Sequence, residues 1–239
     1  AMGYGDSEKV LGQIGVSKFK VVSKLLPLNQ SLIEVSEWVL YQVKASLARL
    51  RVDSIYGLLL HRSSDLHGKQ GGLLYAAMKK LKSEGLVEKI GISIYSPTEL
   101  DLCVKKFKFD LVQAPFNLVD QRLYTSGWLQ RLKDDGCEVH VRSVFLQGLL
   151  LLPRIAIPEK FEQWSYIWDT WHKWLQQQNE ESLSACLSCP LSYSQIDRII
   201  VGANDRLQLM QINSAANHFV QQSLPRLECN DEKLINDLL

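Results

Sequence analysis

The sequence lacks most of the features that assign a chain to a class at sight. Across 239 residues Lys and Arg number 27 and Asp and Glu 26, a formal net charge of +1. No long basic run stands out, so neither a nucleic acid nor an acidic membrane surface is the expected partner. The longest apolar stretch, Val144 to Pro153, is too short to span a bilayer, and the opening residues do not read as a signal peptide. Cysteine is scarce: the five present are an odd number without framework spacing, which predicts a reducing, cytoplasmic setting. Cys186-x-x-Cys189 has the spacing of a redox or metal pair. No second pair or suitable histidine lies nearby, so two buried helix cysteines are expected and no metal site is assigned. No G-x-G-x-x-G follows the first strand, which weakens an open dinucleotide-binding sheet.

What is present is an ordinary globular composition, 46% hydrophobic and 22% charged, enough apolar content for one substantial core. Residues 6 to 15 read as a short helix with Asp6 or Ser7 as N-cap, and Phe19 to Lys24 as a strand. Ser31 begins a long helix, with Glu34 completing a capping box and Val35, Trp38, Val39, Val43 and Leu47 at helical spacing. Ser54 to His61 is nearly continuous in apolar residues, the mark of a strand covered on both faces. The pattern then repeats. Gly72 to Gly85 is a helix and Ile90 to Ile94 a strand. Ser96-Pro97-Thr98-Glu99 starts a helix, and Leu111 to Pro115 is a strand. Gly127 to Asp135 is a helix and Glu138 to Val144 a strand. After a longer helical stretch, Arg198 to Ala203 is the last strand and Leu207 to Phe219 the last helix. Trp164, Trp168, Trp171 and Leu175 form one helix face.

Six strands alternating with helices predict an α/β fold with a parallel sheet and crossover helices. A (β/α)8 TIM barrel suits the cadence better than an open sheet, but two strands of it are missing. In such folds polar residues at the C-terminal ends of the strands converge on one face. Lys24 and His61 each close a strand, and Tyr4 stands in the turn that opens the chain.

The opening residues carry a resemblance. Ala1, Tyr4, Gly5, Ser7, Glu8, Leu11 and Gly12 match the motif D-x-A-x-x-Y-G-x-S-E-x-x-L-G of the aldo-keto reductase family from its alanine onward. The register places the motif's aspartate two residues ahead of Ala1. It implies an incomplete barrel whose first strand, first helix and most of whose second strand lie upstream, with residues 1–239 a single reductase-like domain. The likeness continues along the chain. Val22-Ser23-Lys24 resembles the family's lysine strand and Leu58-Leu59-Leu60-His61 its histidine strand. Leu86 to Ser93 resembles G-x-I-R-x-I-G-V-S-N, with Ile94 where asparagine is usual. Val112-Gln113 to Asn117 resembles the strand of the carboxamide-binding glutamine. Arg142-Ser143-Val144-Phe145-Leu146-Gln147-Gly148-Leu149-Leu150 resembles the loop around the cofactor pyrophosphate, in the form seen in a bacterial branch linked to sugar or surface-polysaccharide metabolism. There Arg142 replaces an aromatic that often stacks on the nicotinamide. Gly202, Ala203 and Asn204 through Gln208 and Gln211 resemble the adenosine-phosphate loop and helix.

The family chemistry implied is reduction of an aldehyde, ketone or sugar carbonyl by NADP, or NAD, in its reduced form. No side chain donates hydride, so the nicotinamide must. A free phenol titrates near ~10, too high for easy exchange in both directions, and an adjacent ammonium favours its ionised form. The resemblance makes Tyr4 the acid, Lys24 its tuning cation and His61 the group that orients the carbonyl or relays the proton. It makes Ser93 and Gln113 the carboxamide ligands, and it gives Arg142, Ser143, Phe145, Gln147, Gly148, Gly202, Ala203, Asn204, Gln208 and Gln211 to the rest of the cofactor. Where NADPH-preferring relatives place basic residues, Gly202 and Gln208 stand here. Arg206 is close enough to meet a 2′-phosphate, or is an exposed helix-start arginine.

Without the motif's aspartate to pair with Lys24, residues 1–239 are expected to be weakly active or inactive. Unpaired edges beside the first and last strands predict poor solubility. A second reading is a non-catalytic member, the barrel kept as a cofactor-sensing or interaction module, which Ile94 and Arg142 favour. A third, a barrel lyase using Lys24 as a Schiff base, gives no role to Gln113 or the 142–148 segment.

Overall fold

A computed structural model describes residues 1–29, 34–218, 220 and 222–236. Two compact units are present: residues 1–113 with 135–138, and residues 114–134 with 139–239.

In the first unit helices α1 (Ser7–Ile14), α2 (Val35–Leu50), α3 (Gly71–Ser83) and α4 (Thr98–Cys103) alternate with strands β1 (Val22–Leu25), β2 (Ile55–Leu60), β3 (Val87–Ser93) and β4 (Leu111–Pro115). The last two residues of β4 belong to the second unit. The pairs β1–β2, β2–β3 and β3–β4 are all parallel, so sheet order is chain order. Glu138 extends the series: its N–H donates to Asp110 O at 2.9 Å. All six residues of β2 are buried, as the apolar run predicted. On α2 the buried positions Val35, Val39, Val43 and Leu47 form one stripe against the strands.

Helix α1 is held by the two buried residues on its inner face, Glu8 and Gly12, one turn apart. The Glu8 carboxylate accepts from Ser23 Oγ and Ser46 Oγ, both at 2.8 Å, and from Arg49 Nε and Nη2 at 2.9 and 2.7 Å. A Cβ on Gly12 would fall 2.1 Å from Arg49 O, so only glycine lets α1 lie this close to the end of α2.

Some boundaries differ from those expected. The strand predicted from Phe19 begins at Val22; Phe19 is 71% exposed in a turn, its N–H bonded to Val16 O. The ladder starts only where Gly57 N–H meets Val21 O, because β2 supplies no earlier partner. The Ser31 cap lies outside the described residues; α2 starts at Val35, and Glu34 makes no side-chain cap. Helix α4 starts one residue later than expected, yet the capping chemistry is intact: Glu99 Oε1 accepts from the N–H groups of Tyr95 and Ser96 at 2.7 and 2.8 Å.

The second unit holds the end of β4, helices α5 (Arg122–Thr125) and α6 (Trp128–Asp134), and strand β5 (Glu138–Arg142), whose Glu138 belongs to the first unit. Next come α7 (Ser165–Gln178), α8 (Ser182–Leu191), β6 (Arg198–Ile199), α9 (Arg206–Ala216) and α10 (Glu232–Ile235). Phe116 N–H donates to Arg142 O at 3.0 Å, and β5 pairs β6 in parallel. Both late strands stop early. The turn at Ser143, with φ +59°, takes the chain away from β5. After Ile200 N–H meets Val141 O no extended partner continues, and Gly202 and Ala203 are exposed loop. The predicted tryptophan face is real in its inner members: Trp168 and Trp171 are 0% exposed, and their indole N–H groups donate to Phe161 O and Leu150 O, so neither buried donor is wasted. Trp164 precedes α7 in a short helical turn, Glu159–Trp164. The predicted end of the last helix, Phe219, lies outside the described residues; α9 ends at Ala216. No described helix is long and apolar enough to cross a membrane.

Candidate active site

The first unit gathers four of the expected residues by register. Lys24 is opposite Leu59, which is opposite Gly91, which is opposite Leu111. Two residues further along, His61 follows the last residue of β2, and Ser93 is paired with Gln113. Side chains two residues apart on a strand share a face, and registered neighbours in a parallel sheet point the same way. Lys24, His61, Ser93 and Gln113 therefore lie on one face at the C-terminal ends of successive strands, where α/β enzymes place their chemistry. The Lys24 ammonium reaches past β2 to donate to Ser93 Oγ at 3.1 Å. Ser93 is 1% and Gln113 6% exposed. Ile94, where the resemblance expects asparagine, is fully buried, with its N–H on Gln113 O at 2.9 Å.

Tyr4 stands apart from this row. It is 59% exposed in the turn before α1, its N–H on Ala1 O and its carbonyl accepting from Ser7 N–H. The turn is shaped by Gly5 at φ +53°. Two acidic residues fix the loops around the row. Asp65 Oδ2 accepts Leu28 N–H at 3.1 Å and ties the loop after β1 to the one after β2. Glu99 takes the hydroxyl of Ser63 as well as its two backbone donors. An acid three residues beyond a serine was legible as a cap; its bond to Ser63 was not.

In the second unit the expected pyrophosphate loop has a special backbone. Ser143, Leu146, Gln147 and Gly148 all have positive φ, at 59°, 47°, 55° and 92°. Short bonds close the loop on itself: Leu146 N–H to Ser143 O and Gly148 N–H to Phe145 O, both 2.9 Å. Leu146, Leu149 and Leu150 are buried and anchor it, while Gln147 is exposed. No atom lies within 4 Å of where a Cβ on Gly148 would stand. Arg142 Nη1 donates to Ser143 Oγ at 3.1 Å. Phe145 packs on the cluster of Val144, Leu187 and Ala215. Asn117 also enters here, a residue given no role from sequence: its Nδ2 donates to Ser143 O at 3.0 Å.

The adenosine-end residues separate. Gly202, Ala203 and Asn204 are exposed. The Gln208 carboxamide accepts Asn204 N–H at 2.9 Å, and Gln208 N–H donates to the Asp205 cap at 2.8 Å. Gln211 instead lines a polar cavity of about 560 Å³ with Glu180, Ser184 and Ser214. Burial, then Glu99, pushes the Cys103 thiol up to about 11. Burial, then Glu228, pushes Cys189 up to about 12. Both stay protonated and unreactive at neutral pH. No group of three or more His, Cys, Asp or Glu among the described residues could hold a metal ion.

A sequence profile described as "Aldo/keto reductase family" matches residues 1–229. The chain belongs to the aldo/keto reductase family. Among curated proteins, the uncharacterized oxidoreductase YqkF of Bacillus subtilis (strain 168) is 31% identical over 115 residues, 45% of this chain and 34% of that protein. The chain thus spans about a third of the length of that relative in the match. Among solved aldo-keto reductases, AKR11C1 from Bacillus halodurans in its apo form superposes with a TM-score of 0.69 at 19% identity, covering 90% of this chain and 73% of that one. Its holo form gives 0.68 at 19%, covering 92% and 74%. The likeness is one of fold, and it bears out the expected α/β barrel-type architecture of the aldo-keto reductases.

Proposed function

We propose that this aldo-keto reductase chain reduces an aldehyde, ketone or sugar carbonyl to the alcohol with a nicotinamide dinucleotide, NADP by family default. The observation that carries the proposal is the shared face holding Lys24, His61, Ser93 and Gln113, with Lys24 bonded to Ser93. The residues present fit the cofactor. A carboxamide needs a donor and an acceptor beside it, and the buried, paired Ser93 hydroxyl and Gln113 amide offer both. A run of left-handed residues ending at a glycine with open space beside it suits backbone that lies against a pyrophosphate.

Bound, the nicotinamide supplies the hydride. The chain supplies the rest. Tyr4 gives the proton to the carbonyl oxygen, the Lys24 ammonium supplies positive charge at the strand ends, and His61 orients the carbonyl. Arg206, exposed at the start of α9, is assigned to the 2′-phosphate. The five free thiols support a reducing setting.

Binding is the first readout, because it tests the cofactor site without requiring turnover. NADPH and NADH are titrated against tryptophan fluorescence, with NADPH expected to bind the tighter. Any aldehyde turnover should fall about 10²- to 10⁴-fold in Tyr4→Phe with the dinucleotide Kd unchanged. A protein that bound neither dinucleotide would not be a reductase. Binding with no carbonyl turned over, and no effect of Tyr4→Phe, would instead favour a cofactor-binding module.

A further inference from the structure

We infer that Asn117 is the positioning residue that sets the 142–148 loop for the cofactor, an inference that rests on the dinucleotide reading above. Asn117 is 1% exposed, and its surroundings fix its orientation. Oδ1 accepts the N–H groups of Val119 and Asp120, both at 2.8 Å, and the Asn117 N–H donates to Asp120 O at 3.0 Å. Two converging backbone donors can be met only by the carboxamide oxygen, so the amide nitrogen must point the other way. There it donates to Ser143 O at 3.0 Å.

Its position explains why this bond matters. Phe116 N–H, just after β4, donates to the carbonyl of Arg142, the last residue of β5, at 3.0 Å. The next carbonyl, Ser143 O, has left the ladder because Ser143 has turned to φ +59°. The Asn117 side chain takes the place of that missing rung. The same carbonyl accepts Leu146 N–H at 2.9 Å, so one atom closes the turn and ties it to the end of β4. A non-glycine residue in the left-handed region persists only when its surroundings hold it there. Ser143 is the first of the four positive-φ residues, and its direction sets where Phe145, Gln147 and Gly148 go. Asparagine is required because aspartate keeps the acceptor but has no hydrogen for Ser143 O once ionised.

The test is a two-by-two set: wild type, Asn117→Asp, Ser143→Gly and the double variant. NADP⁺ and NAD⁺ are titrated by tryptophan quenching, and thermal unfolding is followed alongside. Asn117→Asp should weaken binding about ten- to a hundredfold. In the Ser143→Gly background the same change should cost about threefold or less, since glycine takes the left-handed turn unaided. Binding to Asn117→Asp should also recover as the pH falls, because a protonated carboxyl regains a donor; a loss of packing alone would show no such recovery. Equal binding by Asn117→Asp and wild type overturns the inference, as does an equal penalty in both backgrounds. Should Asn117→Asp not fold, Ser143→Val is compared with Ser143→Gly. Binding about tenfold weaker in the valine variant supports the held turn, and equal binding overturns it. A wild type that bound neither dinucleotide would remove the cofactor reading and this inference with it, whereas a wild type that binds isolates the role of Asn117.

Discussion

The two ends of the first unit's strands carry similar residues arranged in opposite ways. At the N-terminal ends Tyr56, Lys89 and Glu138 form a closed set. Tyr56 Oη donates to Glu138 Oε2 at 2.5 Å, Lys89 Nζ donates to the same carboxylate, and the ammonium of Lys20 lies 4.5 Å from the Tyr56 ring centre. Tyrosine, lysine and an acid are all present, the types a reductase uses, but each is spent on the others. Burial alone would lower the Lys89 pKa; Glu138 and Tyr56 outweigh it and hold the ammonium above the ordinary lysine range. At the C-terminal ends the Lys24 ammonium donates to a neutral hydroxyl, that of Ser93, and His61 and Gln113 lie on the same face. Residue type alone does not mark a site. What distinguishes the two ends is arrangement: at one a tyrosine and a lysine converge on a single carboxylate, at the other Lys24, His61, Ser93 and Gln113 share a face, which agrees with the division of such folds into a stability end and a chemistry end.

The sharpest way to break this comparison is to exchange its predicted effects. Lys24→Met removes the ammonium while keeping the stem. Turnover, as kcat/KM, should fall about 10³-fold, near ~4 kcal/mol of transition-state stabilisation. Unfolding free energy should change by much less than that, on the order of 1 kcal/mol. Steady-state rates and thermal melts on one preparation decide it. A large loss of stability with the rate intact would make Lys24 a packing residue and dissolve the contrast.

Glu8 comes next, because it sits in the same motif as Tyr4 and has the opposite character. Burial raises its pKa, but the hydroxyls of Ser46 and Ser23 and the paired Arg49 outweigh that and leave it lowered. A folded-state pKa below the unfolded one means stability that is complete above the ordinary carboxylate value and lost as pH falls through the folded one. Wild type should therefore lose stability below about pH 4, and Glu8→Gln should lose less over that window. At neutral pH Glu8→Gln should cost ~3 kcal/mol, since it leaves Arg49 beside a neutral amide. Denaturant midpoints at neutral and acid pH measure both quantities. Equal acid sensitivity in the two proteins would place the transition elsewhere.

That contrast shows how far the sequence could be read. The strand cadence and the apolar run of β2 were legible because burial on both faces leaves an unbroken hydrophobic word. The strand-end residues Lys24, His61, Ser93 and Gln113 were named in advance, and their common face follows from register counting. Edges were not legible. Phe19 looks like strand, but what ends a strand is its neighbour's backbone, and the partner of β6 turns away at Ser143. Nor were the polar ties. The seven matched motif residues include Glu8 and Gly12, which serve α1 packing, and nothing in the pattern separates them from Tyr4. Asn117 was quoted only as the end of a matching segment, because its bond to Ser143 joins positions 26 residues apart.

The smallest effect is expected at the closed end, and it completes the comparison from the other side. Glu138→Gln removes the negative charge shared by Tyr56 and Lys89. Because the Lys89 side chain is 32% exposed, water takes up part of its charge, and the cost should be ~2 kcal/mol rather than the full penalty of a buried unpaired ion. The dinucleotide Kd should stay within about twofold of wild type, a difference under ~0.5 kcal/mol. Thermal melts with and without NADPH give both numbers. A Glu138→Gln protein with normal stability but weakened binding would mean that the closed end takes part in function. The division between a stability end and a chemistry end would then fail in this chain.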